Sequence, residues 1–424
     1  MNENLLKIKQ KFPEILCSIV LLTLFTTPQF SIGFCFKIHF SDLLLPFIII
    51  SLFRKGFFSC FTKKIVIISV IVSLYITFTI IINKTWNSYN NFYEIYHTLK
   101  LVFLLLFFRQ YYAHQKHAKY IDIAFGIIVI INLLHFFNIF NFNEIVMPVY
   151  AGEGNRNLLF FGYYFIEGTP GPKRMIGTLG NPNYNALLFI FFIIWYAIKN
   201  NQSVRHKIFY YIAFCLLLFC QSRTTLICFL FVYFANIFLS KVEYKKILLQ
   251  SGIVLILFFG IMKSGVLVNT VSNDSLKTAD KSLNYINADI DNYLEATSFT
   301  ARLNNWKIIL QKVKEKQIFG HSPDKQNYYN SSVMKKTDNE YILMLYRYGI
   351  IGLLAYLSLF LYPGLKAFRY RYHIEARNVI LLFIAFGISA FMNEPLTNHT
   401  ICNIYIFIVA IFFQFIDRQP KTIL

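Results

Sequence analysis

Charge is scarce in this chain. Only 15% of its 424 residues are Asp, Glu, Lys or Arg, against about a quarter in an ordinary soluble domain. Hydrophobic residues make up 56% and aromatics 18%, more Phe, Ile, Leu and Tyr than a soluble core can hide, so a single globular enzyme is excluded. Cysteine is sparse as well. None of the 7 cysteines forms a metal-ligand or thioredoxin spacing with another, so neither a structural zinc nor a disulfide is expected. No Walker motif, Gly-rich dinucleotide fingerprint, His-Glu-x-x-His or Gly-x-Ser-x-Gly occurs. Nucleotide-driven and serine-nucleophile chemistry therefore lack their residues, and no metal or cofactor is expected. The basic N-terminus leads into an apolar stretch without a small-residue cleavage site. Gln29, Phe30 and Ser31 do not fit one, which predicts an uncleaved anchor.

What the chain does have is long apolar runs. A hydrocarbon core about 30 Å thick needs about 20 apolar residues per helix. That ruler predicts an all-α, polytopic integral membrane protein with spans at 14–33, 38–53, 65–82, 95–112, 121–140, 182–198, 207–221, 224–240, 247–263, 341–362, 378–393 and 400–416. The second, seventh and eleventh are short or interrupted, so the expected count is about 12, with 10 as the lower bound. The formal net charge of +20 would suit nucleic acid, but its placement speaks for orientation. With both termini in the cytoplasm, the inside segments hold 22 of the 41 basic residues and four acids, Glu3, Glu243, Glu375 and Asp417, so about 18 of the +20 lies there. This is the positive-inside pattern, and nucleic acid is not an expected partner.

The resulting organisation is helices one to five in 1–140, a first outer loop in 141–181, helices six to nine in 182–263, a large outer loop in 264–338, and the last three helices with a short cytoplasmic tail in 339–424. Loops this long usually carry function. The first ends in Gly168-Thr-Pro-Gly-Pro-Lys-Arg-Met-Ile-Gly-Thr-Leu-Gly-Asn-Pro-Asn-Tyr-Asn185 and contains Arg156 and Arg174. Irregular backbone of this kind at membrane depth needs protein or a watery cavity to satisfy it; an ordinary surface loop is the plain alternative. In the second, Phe299, Leu303, Trp306, Leu310 and Val313 recur at intervals of three and four among lysines, the pattern of an amphipathic interfacial helix. Arg302 falls in its first turn.

Ionisable groups at or in a membrane default to a functional hypothesis. Arg223, in Gln221-Ser-Arg-Thr-Thr225, sits in a tight outer turn, where snorkelling is the alternative. Asp338-Asn-Glu-Tyr341 runs into the tenth span, with Arg347 inside it; Glu340 and Arg347, seven apart, are expected to share a helical face and pair. Asp338, at the water boundary, is a candidate helix N-cap or general base. Asn132, His135 and Asn138 in the fifth span read as packed, hydrogen-bonded polar residues.

The order of these features resembles the bacterial O-antigen polymerase and ligase superfamily. An arginine precedes Gly-Thr-Leu-Gly-Asn-Pro-Asn-Tyr-Asn, then come Gln-Ser-Arg-Thr-Thr and a long outer loop with Ala-Arg-x-x-x-Trp, Ile318-Phe-Gly-His-Ser322, Asp-Asn-Glu-Tyr-Ile-Leu and Tyr-Gly-Ile-Ile-Gly-Leu. These motifs cover about residues 174 to 354. The resemblance implies a GT-C-like, multi-pass glycosyltransferase of the bacterial inner membrane, its active site facing the periplasm. It implies undecaprenyl-diphosphate-linked oligosaccharides as donor and acceptor, membrane lipid as surroundings, and a chain-length regulator as a candidate partner. Ligases of the superfamily typically carry a catalytic His before the Asn of the motif, where this chain has Asp338; that departure favours a polymerase, which moves the growing chain onto a new lipid-linked repeat unit.

The chemistry needs neither nucleotide nor redox cofactor, because a diphosphate leaving group carries its own activation. It needs cations where charge grows, and arginine's planar fork bonds phosphate oxygens in pairs. Arg174, Arg223 and Arg302 are accordingly expected to converge on the diphosphate, with Asp338 as base or orienting acceptor for the sugar hydroxyl. Arg156, Asn181, Asn183, His321, Asn339 and Glu340 are the expected substrate-binding residues. The competing readings are an O-antigen ligase and, in a different class, a lipid-linked oligosaccharide flippase or secondary transporter.

Overall fold

The computed structural model describes residues 3–32, 36–53, 64–87, 89–146, 163–166, 169–197, 203–239, 251–257, 298–323 and 337–419. Arg156, Cys35 and Cys60 lie outside them. The architecture is a helical bundle. In chain order come α1 (Glu3–Thr26), strands β1 (Gln29–Ile32) and β2 (Phe36–His39), α2 (Phe40–Phe53), α3 (Lys64–Ile82), α4 (Tyr89–Tyr111), α5 (His114–Phe137) and the short α6 (Phe142–Val146). Strands β3 (Tyr163–Ile166) and β4 (Thr169–Lys173) lead to α7 (Pro182–Ala197), α8 (Val204–Phe219) and α9 (Arg223–Leu239). A helical segment at 251–257 precedes α10 (Ser298–Val313), α11 (Glu340–Arg369), α12 (Ile374–Ser389) and α13 (His399–Arg418).

Each expected span contains helix where the chain is described, though several end earlier than expected. Among the described residues four helices, α3, α5, α11 and α13, are long and apolar enough to cross a membrane, and α2, α7 and α9 are shorter apolar helices. The first span ends earlier than its hydropathy predicts. Pro28 follows α1, and the apolar residues after it form the antiparallel hairpin β1–β2 rather than more helix. A second antiparallel hairpin, β3–β4, lies in the first loop.

Two helices form the centre. In α7 every residue from Asn185 to Tyr196 is buried, as expected for a helix that is apolar all round, and α13 is buried along most of its length. Phe25 of α1 stacks on Phe191 of α7 at 5.0 Å, and Phe108 of α4 meets Phe407 of α13 edge-on at 4.9 Å. Beside the β1–β2 hairpin lies a charge pair. Lys100 of α4, fully buried, reaches Asp42 at 2.5 Å, and Asp42 also accepts from the His39 amide at 2.6 Å and the Tyr96 hydroxyl at 2.9 Å. A buried charge is tolerated when paired and hydrogen-bonded, and here the pair fastens the hairpin to the bundle.

Helix α11 is broken at Gly349, whose φ of 65° and ψ of −170° interrupt the helical ladder. The segment Ile318-Phe-Gly-His-Ser322 lies in the gap. His321 and Ser322 amides donate to the carbonyls of Tyr346 and Arg347, and the Ile350 amide donates to Gln317 O, all at 2.9 Å. The Tyr75 hydroxyl takes the Tyr348 carbonyl at 2.8 Å. Backbone freed by the break is thereby satisfied by protein, as a membrane requires. The crossing is a contact of two glycines. A Cβ on Gly320 would come within 2.4 Å of Arg347 O, and one on Gly349 within 2.2 Å of Ile318 O. The Phe-Gly-His and Tyr-Gly-Ile motifs therefore form one joint.

Candidate functional site

The Gly-Thr-Leu-Gly-Asn-Pro-Asn-Tyr-Asn motif builds the first half of the site. Gly177 to Leu179 form a 3-10 turn closed by Gly180 in the left-handed region. Asn181 then caps α7, its Oδ1 accepting from the amides of Asn183 at 2.9 Å and Tyr184 at 3.4 Å, the usual role of Asn before a helix. Asn185, fully buried, donates to Asn132 Oδ1 of α5 at 2.7 Å and to Met175 O at 3.3 Å. A Cβ on Gly177 would strike both asparagines, so glycine is required there. Asn132 thus belongs to the scaffold. So do His135, bonded to Asn143 Oδ1 at 2.6 Å, and Asn138, whose Oδ1 accepts from the Asn143 amide at 3.0 Å.

This turn fixes Arg174. Its Nε donates to Cys220 O and its Nη2 to Asn183 Oδ1, both at 3.0 Å, while the Met175 amide donates to Phe219 O at 3.0 Å. Arg174 is therefore fastened to the turn that carries Arg223. Arg223 is the first residue of α9 and is exposed, with no hydrogen-bond or ion-pair partner among the described residues. Ser222 before it accepts from the Thr225 amide at 3.4 Å. The positive end of the helix and the guanidinium stand together there, an arrangement that favours anions.

The second half forms where α10 packs on the start of α11. Arg302 Nε donates to Asp338 Oδ2 at 3.2 Å, with side-chain exposures of 27% and 29%. The Trp306 indole donates to Thr337 O at 2.7 Å and fixes the approach. Asp338 has φ of +46°, a left-handed conformation that Asp and Asn adopt more readily than most residues. The helix cap is Asn339, whose Oδ1 accepts from the Ile342 amide at 3.0 Å. Asp338 is therefore not the N-cap. Its carboxylate is turned out toward Arg302, which leaves it available to a ligand.

Other expectations meet different partners. Glu340 and Arg347 do not pair: seven residues rise about 10 Å along a helix, and each finds something nearer. Glu340 is 1% exposed and accepts from the Leu396 amide at 3.0 Å, whereas Arg347 donates to Glu94 of α4 at 3.4 Å. His321 stacks on Tyr346 at 4.6 Å and its Nε2 contacts Lys312 O at 2.9 Å, which places it at the glycine joint and not at the entry to α11. On α10, Leu303 and Leu310 are exposed while Ile309 and Val313 are buried against α11. The helix is present, with Leu303 and Leu310 of the expected apolar face exposed and Val313 of that set packed on α11.

The two halves are joined by the turn after α12. Tyr184 donates to Glu394 O at 3.3 Å, Asn339 Nδ2 to Phe391 O at 3.1 Å and the Glu340 amide to Ala390 O at 2.8 Å. Glu394, Tyr184, Thr337 and the Lys100–Asp42 pair were not singled out from the sequence. A lysine inside the apolar run of the fourth span was the signal available for the last of these. Among the described residues no group of His, Cys, Asp and Glu could hold a metal, and Cys17, Cys215, Cys220, Cys228 and Cys402 are free thiols.

Fold and site together describe a helical membrane protein in which Arg174 is bonded to the turn before Arg223, Arg302 contacts Asp338, and the turn after α12 bonds to both halves. Residues 184–357 match the family model described as O-antigen ligase, about two fifths of the chain. The match fits the O-antigen polymerase and ligase superfamily, and supports a glycosyltransferase-like enzyme of surface polysaccharide biosynthesis. Arg223, Arg302, His321 and Asp338 to Glu340 fall within it; Arg174, Asn181 and Asn183 precede it. Compared with the curated proteins, the chain has no match.

Proposed function

We propose that the chain is an O-antigen polymerase, transferring a growing glycan from a lipid diphosphate to the hydroxyl of a lipid-linked repeat unit. The observation that carries this reading is the Arg302–Asp338 contact at 3.2 Å, a cation and a base side by side at a helix entry. In the reaction the acceptor oxygen bonds to the donor's anomeric carbon, the bond from that carbon to the diphosphate breaks with its electron pair leaving on the diphosphate, and the hydroxyl proton passes to the Asp338 carboxylate. Arg223 and Arg302 stabilise the departing charge, with Arg174 bracing the turn beneath them. An arriving diphosphate competes with Asp338 for Arg302, so donor binding releases the base when it is needed. Asp338 suits the role better than Glu340, because Glu340 is buried with one oxygen committed to Leu396.

The second reading, a ligase joining finished polysaccharide to its lipid core, is favoured by the matching model's description. Asp338, where the resembled ligases carry His, supports the polymerase. A deletion strain separates them on a lipopolysaccharide gel. Single repeat units on the core are the expected result; bare core would assign the ligase, and repeat units stranded on the cytoplasmic side would assign a flippase.

A further inference from the structure

A cavity lies at the other end of the bundle from the Asp338 site, and a smaller one lies within the bundle. One, between α3, α4, α11 and α13, has a volume of about 60 Å³, enough for a few waters at roughly 10–15 Å³ of such space each. The other is about 250 Å³ and admits a much larger group. It lies among the end of α7, the start of α12 and the end of α13. Those same helices present their opposite ends to the Asp338 site, so the two sites are separated by the length of the bundle.

The walls of this cavity carry unpaired charge of both signs. Glu375 in the first turn of α12 and Arg418 at the end of α13 both line it, and neither has a hydrogen-bond or ion-pair partner among the described residues. The neighbouring acid does not neutralise Arg418. Asp417 is taken by Arg109, whose Nε and Nη2 fork its carboxylate at 2.6 and 2.7 Å. Asn378, only 6% exposed, also lines the cavity, and its Oδ1 is a buried acceptor without a hydrogen bond. Such an atom costs free energy unless something donates to it. The rings of Tyr112 and Trp195 complete the wall.

We propose that this cavity holds the phosphoethanolamine headgroup of a phospholipid. Arg418 and His114, which also lines the cavity, bond the phosphodiester, and Glu375 and Asn378 Oδ1 accept from the primary ammonium beside the two aromatic rings, which attract a cation. The acceptors select among headgroups. A quaternary ammonium has no N–H to give Asn378, and a glycerol headgroup has no charge to give Glu375. Basic pockets between membrane helices hold phospholipid headgroups, and here an acid and an amide acceptor are added to the basic residue.

The test is native mass spectrometry of the full-length protein, purified from vesicles containing equal parts phosphatidylethanolamine, phosphatidylglycerol and phosphatidylcholine. One phosphatidylethanolamine retained per chain is expected. Glu375→Gln should lower that retention about tenfold, the loss of one charge-assisted contact, and leave phosphatidylglycerol unchanged; Arg418→Gln should lower both. Both side chains are at least partly solvent-accessible, so the variants should fold. Equal or preferred retention of either other lipid overturns the proposal, as does a Glu375→Gln protein that keeps its phosphatidylethanolamine. Stabilisation by free phosphoethanolamine with no lipid retained overturns the lipid assignment. Neither substitution touches the Asp338 end, so failure here leaves the polymerase reading standing.

Discussion

Arg174 and Arg302 hold their charges in opposite ways. Arg174 donates to a backbone carbonyl and to an asparagine that is itself part of the α7 cap turn, so its guanidinium is locked to the scaffold. Among the described residues, the hydrogen-bonded partner of Arg302 is a partly exposed carboxylate, and a more highly charged anion can take its place. A preorganised cation costs nothing to place when charge develops; an exchangeable one lets binding of one substrate change the state of the group that acts on the other. The proposed lipid-diphosphate site would use both.

The largest effect that can break this comparison is at the base. Asp338→Asn keeps size and tolerates the left-handed backbone, and should lower transfer by about 10²–10⁴-fold with expression unchanged; undiminished polymer length would return Asp338 to a structural role. Next, Arg302→Lys and Arg223→Lys keep the charge but lose the fork, and should each lower turnover about 10²-fold. Normal polymer from both variants would remove the clamp. Arg174→Lys should act differently, lowering activity about tenfold and stability by about 1–3 kcal/mol through its lost carbonyl and Asn183 contacts. A thermal melt in detergent reads this directly, and an unchanged melting temperature would mean that Arg174 is not locked. The smallest effect is Arg302→Ala on stability, under about 1 kcal/mol for a solvent-exposed pair. A larger loss would place Arg302 in the scaffold beside Arg174 and erase the distinction.

How much of this was legible beforehand follows from the range of each interaction. Helix positions follow from apolar runs, and the Arg302 helix from a local period. The Asn181 turn was visible as a motif, because cap and turn chemistry act over three or four residues. Contacts that depend on tertiary placement were not. Asp42 and Lys100 are separated by 58 positions, and nothing local says that they meet. The Glu340–Arg347 expectation failed for the same reason: helical phase puts two side chains on one face but leaves out Glu94, which comes from α4, and the Leu396 amide, which comes from the turn between α12 and α13. Asp338 and Asn339 are both good cap residues, and the choice between them was made by the backbone turn at Asp338. Arg302 and Asp338 were each singled out, but their contact spans 36 residues and needed the docking of α10 on α11.

The glycine joint also sets a height. Large apolar side chains exposed along α11, Ile350, Ile351, Leu354, Leu361, Leu365 and Phe368, all follow Gly349, and none precedes it. The stretch from Ile350 to Arg369 is roughly 30 Å long at 1.5 Å per residue, the thickness of a hydrocarbon core. The part before the break, Glu340 to Tyr348, adds about 13 Å and carries none of these exposed apolar side chains, so a bilayer matched to the later stretch would leave Asp338 about that far beyond its hydrocarbon edge.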